Sequence, residues 1–196
     1  MLVKITIANT KGGVAKTTSA MMLATVLSDA GMSVEVWDAD PQGSATRWAM
    51  VAEENREPLN FEVLAVNQVS AARPVPRRID MVLVDTSPNA ANISQAAVET
   101  SDLTVIPTGA SPDDLARTVK TLEVVQNIGC QARVLLTQAE PHTVPFRDAV
   151  QRLREVGAPL LEEVAVKAVR IRDEAVRRPR RTFGYDAIAR ELGLLA

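Results

Sequence analysis

Apolar residues fall into short runs separated by longer stretches of helical spacing. Residues 4–8, 34–37, 61–66, 81–84, 103–106 and 132–136 are such runs, each too short for a helix and compact enough for a buried strand. Residues 17–29 read as a helix, with Met21, Leu23, Ala24 and Leu27 toward one face and Gly31 as its stop. Ser111 opens another helix as cap, followed by Pro112 and the acids Asp113 and Asp114; the helix reaches about residue 127 and stops at Gly129. Residues 143–156 and 185–192 complete the helical stretches. Asp40-Pro41-Gln42-Gly43 is a turn after the second run, and Pro107 ends the fifth.

Strands alternating with helices predict an α/β fold, a mainly parallel sheet with helices on both faces. Residues 74–78 form only a polar, proline-containing loop, and no Gly/Ser linker, repeat or low-complexity tract interrupts the chain. A single domain over residues 1–196 is expected. Ligands of such sheets sit at the C-terminal ends of the strands. Three polar motifs fall there: residues 9–18 after the first run, 38–44 after the second and 85–89 after the fourth.

Composition sharpens this picture in a few places. Aromatics are only 3 % of 196 residues, so aliphatic side chains must build the core, with Trp37 and Trp48 as packing residues. Cys130 is the single cysteine, which excludes an internal disulfide and fits a reducing compartment. His142 is the single histidine, so a multi-histidine metal site is excluded. There is neither a secretory signal pattern nor an apolar run of membrane-spanning length, and a cytoplasmic protein is expected. The net charge is −2, yet residues 167–181 hold one lysine and six arginines against Asp173 and Glu174. By itself such a run is a solvated charged face.

Asn9-Thr10-Lys11-Gly12-Gly13-Val14-Ala15-Lys16-Thr17-Thr18 joins a strand to a helix. Glycines allow backbone N–H groups to approach an anion, and the helix N-terminus adds unpaired N–H groups and a positive dipole end. In that context Lys16 reaches the β- and γ-phosphates of a nucleotide, and the Thr17 hydroxyl reaches Mg²⁺. The generic phosphate loop would place glycine at positions 10 and 15, where this chain has Thr10 and Ala15. Asp85, following the apolar run 81–84, suits a carboxylate that holds a metal-bound water.

Lys-Gly-Gly-x-x-Lys-Thr-Thr with a second lysine, Lys11, resembles the deviant Walker A ATPases, and within them the ParA/Soj partition family. Asp38-Ala39-Asp40-Pro41-Gln42-Gly43 and Asp85-Thr86-Ser87-Pro88 are similar to that family's two acidic motifs, with Ser87 and Ala15 as departures. The resemblance implies a P-loop NTPase type of fold with ATP and Mg²⁺ as cofactors. It implies nucleotide contacts from Lys11, Gly12, Gly13, Val14, Ala15, Lys16, Thr17, Thr18 and Asp85, with Thr137 and Gln138 near the adenine. Thr17, Asp40 and Asp85 would surround the metal. Asp40 would position the attacking water, and Asp38 would support its loop. Lys11 would reach across an ATP-dependent homodimer to the partner subunit's nucleotide. The same resemblance turns Arg177, Arg178, Arg180 and Arg181 into a site for duplex DNA of any sequence, associates the protein with the nucleoid, and implies a ParB-like or cargo adaptor that stimulates slow hydrolysis.

Three alternatives accompany this reading. A membrane-surface ATPase of the MinD kind needs a basic amphipathic C-terminal helix, whereas residues 185–196 carry only Arg190 against Asp186 and Glu191. A dethiobiotin-synthetase-like ligase is disfavoured by Lys11 and the Asp-Pro-Gln-Gly motif. ATPases of the nitrogenase iron-protein type need cysteines that are absent here. With the first strand beginning at residue 4, no helix-turn-helix is expected ahead of it.

Overall fold

Strands covered on both faces should be apolar at almost every position, and four of them are buried throughout. The computed structural model describes residues 3–88, 91–167 and 177–195. Its first half runs β1 (Lys4–Ile7), α1 (Lys16–Asp29), β2 (Val34–Ala39), α2 (Ser44–Glu54), β3 (Glu62–Ala65), α3 (Gln68–Ala71) and β4 (Met81–Thr86). The second half runs α4 (Ala91–Glu99), β5 (Leu103–Thr108), α5 (Pro112–Ile128), β6 (Gln131–Ala139), α6 (Val144–Glu155), β7 (Ala165–Val166) and α7 (Tyr185–Glu191). The seven strands form one sheet in the order β3-β2-β4-β1-β5-β6-β7, parallel at every pairing. This is the expected α/β architecture.

Helices α1, α2 and α7 cover one face through Ile5, Ile7, Val36, Leu83 and Val105. On the other face, α3 and α4 pack over Trp37, Val82 and Val84, and α5 and α6 over Ile106, Val134 and Leu136. Trp37 and Trp48 are buried, as their packing role predicts.

Three expectations need correction. Helix α1 does not have one apolar face: residues 19–27 are buried on every side. The cause is α7, whose buried Tyr185, Ile188 and Ala189 belong to the core cluster that encloses α1. Pro107 does not end β5, because the strand continues to Thr108. Strands β2 and β4 also run past their apolar runs, so Asp38 and Asp85 lie inside strands and face one another in register. Helices α2, α3 and α4 and strand β7 have no counterpart in the sequence reading. Among the described residues, no helix is long and apolar enough to cross a membrane.

Candidate functional site

The loop between β1 and α1 lies at the C-terminal end of the sheet. Gly13 takes a left-handed backbone at φ 79°, and Ala15 does so at φ 65° directly before α1. The Ala15 carbonyl accepts the Ser19 N–H at 2.9 Å, which begins the helix ladder. Helix α1 has no side-chain cap, so its first N–H groups and dipole end remain available to an anion.

Lys16 is 7 % exposed, and its ammonium donates to the Lys11 carbonyl at 2.9 Å. Burial lowers its pKa, against the raising influence of Asp85 and Asp40. Asp85 is fully buried between β1 and β2, and neither carboxylate oxygen accepts a hydrogen bond of ordinary geometry. Burial pushes its pKa up to about 7; the neighbouring Thr17 hydroxyl offsets only part of that, and Asp38 adds to it. A buried carboxylate with no donor, beside a hydroxyl and near Asp40, is an all-oxygen set that fits a hydrated magnesium ion.

Asp38 holds the second motif together. Its Oδ2 accepts the Thr46 N–H at 2.8 Å and the Thr46 hydroxyl at 2.7 Å, and its Oδ1 accepts the Asp40 N–H at 3.2 Å. Asp40 folds its own turn by accepting the Gln42 N–H at 2.9 Å. Asp40 also lines a cleft of about 650 Å³ with Gly12, Gly13, Lys16 and Thr17. Thr137, Gln138, Ala165 and Tyr185 line the same cleft. The volume is that of an ordinary small-molecule site.

Thr137 and Gln138 therefore reach the cleft, and they also hold the loop. The Thr137 hydroxyl donates to Val14 O at 3.1 Å, and the Gln138 amide donates to Gly13 O at 2.7 Å. Val14 itself is buried beneath the loop. Lys11 points elsewhere: its ammonium pairs with Asp113 at the start of α5 at 2.8 Å, and that contact raises its pKa.

The arginines lie at the opposite end of α1. Arg178 pairs with Asp29 at the end of α1, Arg180 with Glu57, and Arg177 approaches Glu57 at 4.0 Å. The Trp48 indole donates to Arg177 O at 2.9 Å and fixes this segment to α2. Arg181 is exposed. Of the rest of the basic run, Lys167 pairs with Glu140 at 3.3 Å, and Arg170 and Arg172 lie outside the described residues.

A family described as the CobQ/CobB/MinD/ParA nucleotide binding domain matches residues 5–177. The chain belongs to this family. A relative named Maintenance of carboxysome distribution protein A, of Gloeobacter kilaueensis, is 37 % identical over 170 residues, 81 % of this chain and 74 % of that protein. A ParA protein of Rhizobium radiobacter is 30 % identical over 125 residues, 62 % of this chain and 55 % of that protein. Two solved structures share the fold. Cyanothece McdA in complex with ATP superimposes with a TM-score of 0.80 at 18 % identity, covering 100 % of this chain and 98 % of that one. Pyrococcus furiosus MinD does so with a TM-score of 0.75 at 19 % identity, covering 100 % of both chains. The resemblance read from the motifs is thereby confirmed at the level of family and fold.

The seat of the loop on α5 is not foreseen in the sequence reading, which has Asn9 only as part of the loop motif and Asp113 only as a first-turn acid, and does not single out Thr118 or Thr121. Asn9 is 3 % exposed at the end of β1, and Asp113, Thr118 and Thr121 of α5 meet the loop it opens. The threonines were legible in principle, since Thr118 and Thr121 interrupt the buried apolar side of α5.

Proposed function

We propose that the chain is a ParA-like ATPase that binds ATP with Mg²⁺ in the cleft at the head of α1. The observation that carries this is the buried, unpartnered Asp85 carboxylate beside Thr17 and Lys16. Magnesium, when bound, would neutralise charge developing on the phosphates. Gly12, Gly13, Ala15 and Thr18 would surround the phosphates through the loop backbone and the first turn of α1. Lys16 would leave the Lys11 carbonyl for the β- and γ-phosphates. Thr17 and Asp85 would hold the metal and its water. Asp40, fixed by Asp38 through their shared turn, would orient the attacking water. Thr137 and Gln138 would border the base.

We further infer that residues 1–196 act as one domain. Two copies would close face to face on ATP, with Lys11 exchanging Asp113 for the partner's nucleotide. The dimer would bind duplex DNA of any sequence through Arg177, Arg178, Arg180 and Arg181. It would be cytoplasmic and nucleoid-associated, and a ParB-like or cargo adaptor would stimulate its slow hydrolysis. The names of the carboxysome-distribution and ParA relatives support a cargo such as a plasmid, a chromosome or another large assembly.

Calorimetry with ATP and magnesium tests the core of the proposal. Lys16→Ala should abolish binding. Unchanged affinity in that variant would overturn the site.

A further inference from the structure

We propose that Asn9, with Thr118 and Thr121 of α5, is the positioning group that sets the Lys11 backbone for dimer formation, separately from nucleotide binding. This rests on the ATP-dependent dimer proposed above. Both donors of the Asn9 amide and one acceptor position of its oxygen are used. Its nitrogen donates to Pro107 O at 2.8 Å and to the Thr118 hydroxyl at 3.0 Å. Its oxygen accepts the Lys11 N–H at 2.9 Å and faces the Thr121 hydroxyl at 3.5 Å. With a carbonyl on one side and a backbone N–H on the other, the amide has only one sensible orientation.

Thr121 grips the next peptide as well, since the Thr10 N–H reaches its hydroxyl at 3.4 Å. That hydroxyl donates in turn to Arg117 O at 2.8 Å within α5. Along α5, Asp113, Arg117 and Thr121 follow at four-residue spacing, and Thr118 stands three residues before Thr121, so successive members are neighbours on the helix surface. The first half of the loop is thus seated on α5 and β5. The second half, by contrast, is held by Thr137 and Gln138 of β6.

The Lys11 peptide is the joint between the two halves. Its N–H is held by Asn9, and its carbonyl is held by the Lys16 ammonium. When Lys16 moves to a phosphate, the carbonyl loses that partner and the Asn9 contact remains. Asn9 then decides where the Lys11 side chain starts, and hence where its ammonium can reach. Gly12 on the other side supplies no side chain to do this. A residue that only stabilised the fold would not separate the two functions in this way.

The test compares ATP binding with ATP-dependent self-association, by calorimetry and by sedimentation, in the full chain. Asn9→Ala should bind ATP within about threefold of wild type and dimerise about tenfold or more weakly, because each copy loses a buried hydrogen bond to Lys11. Thr121→Val should show the same split more mildly, and Thr121→Ser should restore it. Because Asn9→Ala can fail to fold, both chains are melted first, and the Thr121 pair carries the test if it does. A double-mutant cycle gives the reading that a structural role would not: Asn9→Ala in a Lys11→Ala background should weaken the dimer no further. Wild-type dimerisation in Asn9→Ala and Thr121→Val would overturn the proposal, as would equal losses of ATP binding and dimerisation. A wild-type chain that stays monomeric with ATP would overturn the dimer reading itself, and this inference with it.

Discussion

Ala15→Gly should make the nucleotide-free protein more stable, although glycine usually destabilises. Ala15 sits at φ 65° and ψ 34°, a left-handed conformation, immediately before α1. The residues in the same place before α2 and α7 are glycines, Gly43 at φ 62° and Gly184 at φ 91°. An L-residue pays about 1–2 kcal/mol there, because its Cβ crowds the following carbonyl. Glycine removes that strain and adds about 0.4–1 kcal/mol of unfolded-state entropy. The balance is a gain of about 0.5–1 kcal/mol, or about 1–4 °C in Tm for a chain of this length. Urea unfolding without nucleotide would measure it, with an unchanged slope as the check that the unfolded state is comparable. The reciprocal change, Gly43→Ala, should lose about 1 kcal/mol. A destabilised Ala15→Gly protein would refute the reasoning, because it would mean that position 15 is not held left-handed.

Asp85→Asn should raise stability without nucleotide by about 1 kcal/mol, since a neutral amide is cheaper to bury than a carboxylate, while abolishing magnesium-dependent ATP hydrolysis; a variant that loses stability and retains turnover would remove the metal assignment. Asp40→Ala should bind ATP normally and hydrolyse it at least about tenfold more slowly by phosphate release, whereas wild-type turnover would exclude a water-positioning role. Burial lowers the Lys4 pKa from 10.5 to about 8, with Arg73 adding to the effect. Between those values the unfolded chain holds a proton that the folded chain has lost, so stability should rise with pH across the window by about 2 kcal/mol, and Lys4→Met should flatten the rise in melts at successive pH values. Replacing Arg177, Arg178, Arg180 and Arg181 with alanine should remove salt-sensitive binding to random duplex in a gel-shift assay with ATP; full binding by the variant would move the interface elsewhere.

The parts of the molecule that could be read from the chain are those whose signal is local. Parallel strands buried on both faces show themselves as short, mostly apolar runs, which is why β1, β2, β4, β5 and β6 were visible. The loop of residues 9–18 carries its chemistry in adjacent residues and was equally plain. Helix α2 was not, because it buries only Ala45, Trp48 and Ala52, two of them too small to mark a stripe. Helix α1 misled in the other direction: a helix that α7 covers from outside has no polar face to give it a period. The seat of the loop on α5 was hidden for a different reason. Asn9 meets Thr118 and Thr121 across separations of 109 and 112 residues, and only the fold brings them together. The unpartnered state of Asp85 is likewise a property of the packing, since its position after an apolar run fits a simple turn cap equally well.

The distance between the two ends of α1 constrains how nucleotide could govern DNA. Lys16 opens this 14-residue helix and Asp29, the partner of Arg178, closes it. At about 1.5 Å per residue the arginines stand roughly 20 Å from the phosphate loop, beyond any direct contact with ATP and beyond a Debye length at physiological salt. The γ-phosphate therefore cannot repel or recruit DNA electrostatically. Arg177, Arg178 and Arg180 are also engaged with Asp29 and Glu57, so each phosphate contact of the proposed DNA site would have to displace a carboxylate, and a single copy would bind weakly. In the proposed dimer the second patch would bind at high effective concentration, which would raise avidity by about 10²–10⁴-fold. On this geometry the nucleotide would act through subunit number alone, and a dimer held together by an engineered cross-link should bind DNA in the absence of ATP.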